Sequence, residues 1–294
     1  MADRGDSSGD PVPRPFFSGT LFEGANSVGG NEYLQIHDED EARTHVRLWR
    51  ERGAQFIKAY STLPWPLHRV VADEARRQGL PVVGHGMSLE EVTKSVTLGY
   101  ITLEHFRPEE RWYGDVFRML ASAGTRWDPT LTGMNVSDYL LSDERDRLLD
   151  SKLRSFVGDE RFAELEGFTV HRWARGQSAE VLASIRAAHG MSVRLLAGSG
   201  VVTTLGAALH WELELFGEAG LSPLEILRTA TVEGAAAVGA DDELGTLESG
   251  KLADLVLLDA DPLLDIRNTQ SIWRVIKGGW VFDPEELAAL RTQR

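Results

Sequence analysis

Phe56-Ile57-Lys58-Ala59-Tyr60, Pro81-Val82-Val83-Gly84-His85 and Ile101-Thr102-Leu103-Glu104-His105 are three short apolar runs, each carrying an ionisable side chain at or near its end. Lys58 and His85 are 27 positions apart and His85 and His105 are 20 apart, room in each interval for one helix and a return to the sheet. The first interval holds an amphipathic segment over residues 66–78, ended by Gly79. The second holds a segment that opens at Ser88, with Glu91 three residues on in a capping-box arrangement, and stops at Gly99. Strand, helix, glycine, strand is the pattern of βαβ units around a parallel sheet. In a parallel barrel the C-terminal strand ends converge on the face where active sites are built, so Lys58, His85 and His105 are predicted neighbours.

The alternation continues outward. Strands are predicted over residues 16–21, 55–60, 81–85, 100–105, 125–130 and 192–197, and further helices over 40–52, 178–188, 207–218 and 223–234. The longer polar interval 131–190 reads as a lid or crossover with an additional helix around 143–156. Residues 1–15, a mixture of Gly, Ser, Asp and Pro, are expected to be a disordered tail. Residues 16–243 form the main α/β unit, and 244–294 a small β appendage, with runs at 255–258 and 274–282, followed by a terminal helix.

Composition sets the outer limits. The 294 residues are 42% hydrophobic and 26% charged, close to the globular average, and enough for one sizeable core. A net charge of −14 repels phosphate backbones and anionic lipid, which argues against a nucleic-acid or membrane partner. Without cysteine, a metal could be held only by His, carboxylate or a modified side chain. The N-terminus lacks a signal-peptide core and no segment is long and apolar enough to span a bilayer, so a cytoplasmic protein is expected.

Lys58 sits inside an apolar strand, where an isolated ammonium is costly; it needs a carboxylate partner, a route to solvent, or chemical conversion such as carbamylation. A lone strand-end histidine is commonly a packing residue, and only the coincidence of three such positions points to a site. Tyr60, two residues past Lys58 on the same strand face, can touch substrate or simply pack in the mouth of the sheet.

These strand ends, with Leu195-Leu196-Ala197-Gly198-Ser199, Leu209-His210-Trp211-Glu212-Leu213, Leu227-Arg228-Thr229-Ala230-Thr231 and the run from Gly245 to Leu255, resemble the amidohydrolase superfamily. The similarity is nearest to its imidazolonepropionase-like and Xaa-Pro dipeptidase-like branch. The resemblance implies a TIM-like (β/α)8 barrel and metal-dependent hydrolysis of carbon–nitrogen bonds in a small amide or cyclic amide, by water activated on one or two divalent ions, zinc first among them. It places Lys58 as a carbamylated metal ligand and His85 and His105 as the histidine ligands of the next two strands. Ser199 and His210 become candidates for substrate contact, although a turn residue and a helix-start packing residue explain them as well.

The chain departs from that pattern in three ways. No His-x-His occurs, although the family carries one on its first strand. Gly200 stands near the position of the family's last-strand aspartate, which leaves no catalytic residue assigned there. Counting strands, the chain begins at the third of eight, so two open edges are expected, to be covered by self-association, by a chain supplying the missing strands, or by local rearrangement. The alternative expectation is therefore a catalytically impaired fragment or a subunit that needs a partner. Glu104 is a weak candidate for the base, because strand alternation turns it away from His105.

Overall fold

A computed structural model of the protein describes residues 12–25, 33–86, 88–106, 112–133, 154, 158–160, 162–163, 178–200 and 206–291. The first eleven residues of the expected tail, and the expected helix at 143–156 apart from Arg154, lie outside the described residues.

A parallel layer organises the chain. Strands β3 (Ile57–Lys58), β4 (Val82–His85), β5 (Thr102–Glu104) and β6 (Arg126–Asp128) pair in that order, all parallel. A second parallel pair, β1 (Leu21–Glu23) with β2 (Tyr33–Gln35), joins β3 through a bridge from Phe22 to Ala59, and at the far end Leu195 bridges to Trp127. Among the described residues the layer does not close on itself. The first strand starts later than expected, because Gly19 takes a left-handed φ of 77° and bends the chain before Leu21. The last shrinks to the Leu195 bridge, with Ser192 at φ 64° before it. The edge expected to lie open beside the first strand is covered by β2, a segment too short to show alternation in the sequence.

Helices pack around this layer. They are α1 (Glu39–Glu51), α2 (Trp65–Arg77), α3 (Leu89–Leu98), α4 (Gly114–Ala123), α5 (Ser178–Gly190), α6 (Ala207–Glu218), α7 (Pro223–Ala230) and α8 (Val232–Ala237), the last beside its ionisable face. Asp38 and Ser88 cap α1 and α3 by accepting the backbone N–H of Glu41 and Glu91, and Ser222 forms a full capping box with Glu225 on α7. The single helix expected over 223–234 breaks at Thr231, whose φ of −125° and ψ of −84° are not helical.

Alternation sorts the strands into two faces. Phe22, Ile57, Leu103, Trp127 and Leu195 are buried in the apolar clusters that include helix residues such as Val46, Val71, Phe117 and Phe216. The opposite face carries Lys58, Val83, Thr102, Glu104 and Asp128. A strand layer with one apolar face and one ionisable face is what positions the site.

The C-terminal appendage is a separate antiparallel sheet of β7 (Leu255–Leu258), β8 (Ile272–Lys277) and β9 (Trp280–Phe282), followed by α9 (Pro284–Arg291). The expected run at 274–282 is a hairpin turning on Gly278 and Gly279, both at positive φ, 55° and 85°. Arg14 Nη2 donates to Asp254 Oδ2 at 3.0 Å and ties the N-terminal segment to the start of β7.

Candidate active site

The C-terminal ends of β3 to β6 converge. His85 and His105 lie with ring centroids 4.7 Å apart, and Tyr60 packs on His85 at 4.4 Å. His105 does not reach this place by strand alternation. Glu104 faces the cavity with Thr102, as a strand residue two positions on should, and His105 then leaves strand geometry at φ +72°, which turns its ring to His85. A non-glycine residue held in this region is strained, and such strain concentrates at functional sites. The surroundings hold it there: His105 N–H donates to Asp128 O at 2.8 Å, Trp127 Nε1 donates to His105 O at 3.0 Å, and His105 Nδ1 shares a 2.7 Å hydrogen bond with Thr130 Oγ1. Burial pushes the His105 imidazole down to about 4, with the Lys58 charge adding to the shift, so the ring is neutral near pH 7.

Beside the histidines lies a cluster that the sequence reading did not assemble. Lys58 Nζ donates to Gly84 O at 3.0 Å; burial pushes its ammonium pKa down, and Glu104 and Asp128 hold it up. Gly84 suits this wall because a Cβ there would come within 2.5 Å of Ser95 Oγ. Asp128 is pushed well above the ordinary carboxylate range by burial and by the neighbouring Glu104. Asp128 is the fourth ionisable residue at a strand end, in register with Glu104 as Glu104 is with His85. That register was the available signal. Asp128 also fills the space beside Gly198, where any Cβ would collide with its carboxylate.

The remaining candidates fall elsewhere. Ser199 is half-buried, and its carbonyl accepts Thr132 Oγ1 at 3.3 Å, a turn role beside the site. His210 Nδ1 bonds Thr269 Oγ1 at 3.0 Å, which points it toward the 3₁₀ turn Ile266–Gln270 and away from the cavity. Gly200 takes φ +59°, and a Cβ there would stand 3.6 Å from His105 Cε1. A side chain at this position would therefore face Thr130 and His105.

Glu212, on α6, secures the segment after β6. It is fully buried and accepts Leu131 N–H at 2.9 Å, Thr132 N–H at 2.8 Å and Thr132 Oγ1 at 3.1 Å, which fixes the chain next to Thr130 and so to His105. Burial pushes its carboxyl up to about 7 against those hydrogen bonds.

As a test of metal fit, two neutral-imidazole positions side by side are suitable donors. Lys58 adds oxygen donors only as a carbamate, and among the described residues no three His, Cys, Asp or Glu side chains form a metal-holding group.

A model of the amidohydrolase family matches residues 58–281. The imidazolonepropionase of Symbiobacterium thermophilum is 56% identical over 39 residues, 13% of this chain and 9% of that protein. An S-triazine hydrolase of Gordonia rubripertincta is 34% identical over 68 residues, 23% of this chain and 13% of that protein. The crystal structure of a Xaa-Pro dipeptidase with bound methionine superposes with a TM-score of 0.63 at 21% identity, covering 85% of this chain and 59% of that one. The chain thus spans under two thirds of these proteins.

Proposed function

The chain belongs to the amidohydrolase family, and on that premise we propose that it hydrolyses the carbon–nitrogen bond of a small amide or cyclic amide with a divalent metal, zinc first. The observation that carries this reading is the His85–His105 pair, 4.7 Å apart at adjoining strand ends, with His105 kept neutral beside Lys58. Lys58 as a carbamate, His85 and His105 would hold the ion. When bound, such an ion lowers the pKa of water and polarises a scissile carbonyl.

The chain's own residues do the rest. Tyr60 packs against His85 and limits its rotation, and Thr130 holds His105 Nδ1. Asp128, whose carboxyl burial pushes well above its ordinary range, is the candidate to hand a proton to the leaving nitrogen. Gly200 leaves the base position empty of a side chain and supports a second reading, in which turnover requires another chain to complete the site, either a second copy or a polypeptide supplying strands.

The test is metal content and amide hydrolysis of the purified chain after reconstitution with zinc and bicarbonate. We expect about one ion per chain, lost in His85→Ala and His105→Ala, and turnover that chelators abolish. Gly200→Asp should raise turnover, since aspartate tolerates left-handed φ better than most residues. Absence of bound metal in the reconstituted wild type would sink the metal assignment.

A further inference from the structure

Two of the three non-glycine residues at positive φ among the described residues, His105 at 72° and Thr130 at 47°, follow adjoining strands and bond each other, Nδ1 to Oγ1 at 2.7 Å. A branched side chain in the left-handed region is an outlier, and such strain persists only where the surroundings over-determine it. At Thr130 they form a tight turn: its N–H donates to Asp128 Oδ1 at 3.2 Å, and Gly133 N–H donates to Thr130 O at 3.0 Å. The N–H groups between, of Leu131 and Thr132, open a helical turn and have no partner within it; a neighbouring Ser or Asp ordinarily accepts them. Here the acceptor is the Glu212 carboxylate, 81 and 80 positions away on α6 and fully buried. A carboxylate is costly to bury unless hydrogen bonds receive it, and those of Glu212 among the described residues all come from Leu131 and Thr132.

The same carboxylate also governs a second neighbour of the ring. Thr132 Oγ1, which donates to Glu212 Oε2 at 3.1 Å, lies 3.3 Å from Ser199 O, and a Cβ at Gly133 would stand 2.9 Å from that carbonyl. The turn is thus packed on the segment that carries Gly200, where a Cβ would stand 3.4 Å from Thr130 and 3.6 Å from His105. Thr130 and the 198–200 segment flank one imidazole, and both are tied to Glu212 through Thr132 and the turn it belongs to.

We infer that Glu212 is a remote positioning residue for His105: by holding the 130–133 turn it sets the rotation of the imidazole ring and the approach of the 198–200 segment to it. That His105 binds a metal rests on the hydrolase reading above; that Glu212 orients its ring does not.

The test is the nitrogen-15 shifts of the His105 ring in the metal-free full chain, with zinc affinity measured alongside. In wild type the bond to Thr130 should hold one tautomer and keep the two ring nitrogens well separated. Thr130→Val, which keeps the shape and loses the hydroxyl, should bring the two shifts together. Glu212→Gln, which turns one acceptor oxygen into a donor facing an N–H, should do the same. Thr130→Ser should restore the wild-type pattern. Thr132→Val removes one bond to Glu212 and should move the shifts the same way by less; it replaces Glu212→Gln if that variant loses its helical circular dichroism. Val71→Ala, a truncation in the other apolar cluster, lowers stability without touching the turn and should leave the ring unchanged. Zinc should bind Thr130→Val and Glu212→Gln about 10–100-fold more weakly than wild type, the scale for residues that orient a metal-bound histidine.

Ring shifts unchanged in a folded Glu212→Gln chain, or shifts that move equally in Val71→Ala, would overturn the inference. Failure of the metal reading looks different. Shifts that respond to Glu212→Gln in a protein that takes up no zinc would keep the positioning role and remove the metal. Zinc bound equally by wild type and both variants, with the ring unchanged, would keep the metal and remove the positioning role.

Discussion

Strands β4 and β7 are both four residues long, Val82-Val83-Gly84-His85 and Leu255-Val256-Leu257-Leu258, and the second is the more apolar. Yet every residue of β4 is buried and none of β7 is, with Val256 56% exposed. The whole antiparallel sheet shares this condition, and Trp273 and Trp280 are 50% and 56% exposed. Apolar, β-branched composition is enough to make a strand, but burial depends on what the rest of the chain lays over it. The parallel layer receives its cover from the helix that follows each strand. Among the described residues the C-terminal sheet receives no such layer, and Val256, Trp273 and Trp280 stay exposed.

The sharpest way to break this comparison is in the two cores. Trp127, with no exposure, packs between Phe106, Trp112 and Phe117, and Trp127→Ala should cost about 3–5 kcal/mol in urea unfolding. A loss under about 1 kcal/mol would mean that the parallel layer is not the core.

The next effect belongs to pH. Glu212 ionises near 4.5 when unfolded and about 7 when folded, so between those values the folded chain holds the extra proton. Stability from this group is therefore present below pH 4.5, falls as pH rises to about 7, and is level above, a change on the order of 3 kcal/mol. The buried His105 acts oppositely: its folded value of about 4 lies below 6.5, so its contribution is present above pH 6.5 and lost as pH falls toward 4. Comparing Glu212→Gln with wild type removes the histidine contribution, and the difference in stability should change across pH 4.5 to 7. A pH-independent difference would show that Glu212 is not held protonated by burial.

The smallest effect sharpens the other side. Trp280→Ala should change stability by less than about 0.5 kcal/mol and lower the binding of an apolar dye. A cost approaching that of Trp127→Ala would show that the hairpin sheet is covered in solution and that the contrast between the two sheets is false.

Much of the site was legible before the structure. Lys58 and His85 follow directly from strand period and the spacing of βαβ units, because both obey alternation. His105 reaches His85 through a left-handed backbone at φ +72° that alternation does not anticipate. The same argument makes Glu104 a weak base candidate, turned away from His105, and the cavity-facing side it takes is the one that brings it to Lys58 and Asp128. Asp128 lies two residues inside the strand predicted over 125–130, so it did not stand out as a strand-end residue; the strand ends at Asp128 itself, in register with Glu104 as Glu104 is with His85. His210, open in the sequence to substrate contact or to packing at a helix start, bonds Thr269 on the 3₁₀ turn that packs on α6.

By itself the sequence determined the alternation of strands and helices, the caps that start the helices, and the ionisable residues at the strand ends, all consequences of periodicity and of side chains bonding within a few residues. Tertiary structure alone decided that β2 closes an edge, that Glu212 holds Leu131 and Thr132 across the fold, and that burial beside Glu104 raises the Asp128 carboxyl. Those outcomes depend on dielectric and on contacts between distant segments, and burial acts on a charge only once the chain has surrounded it.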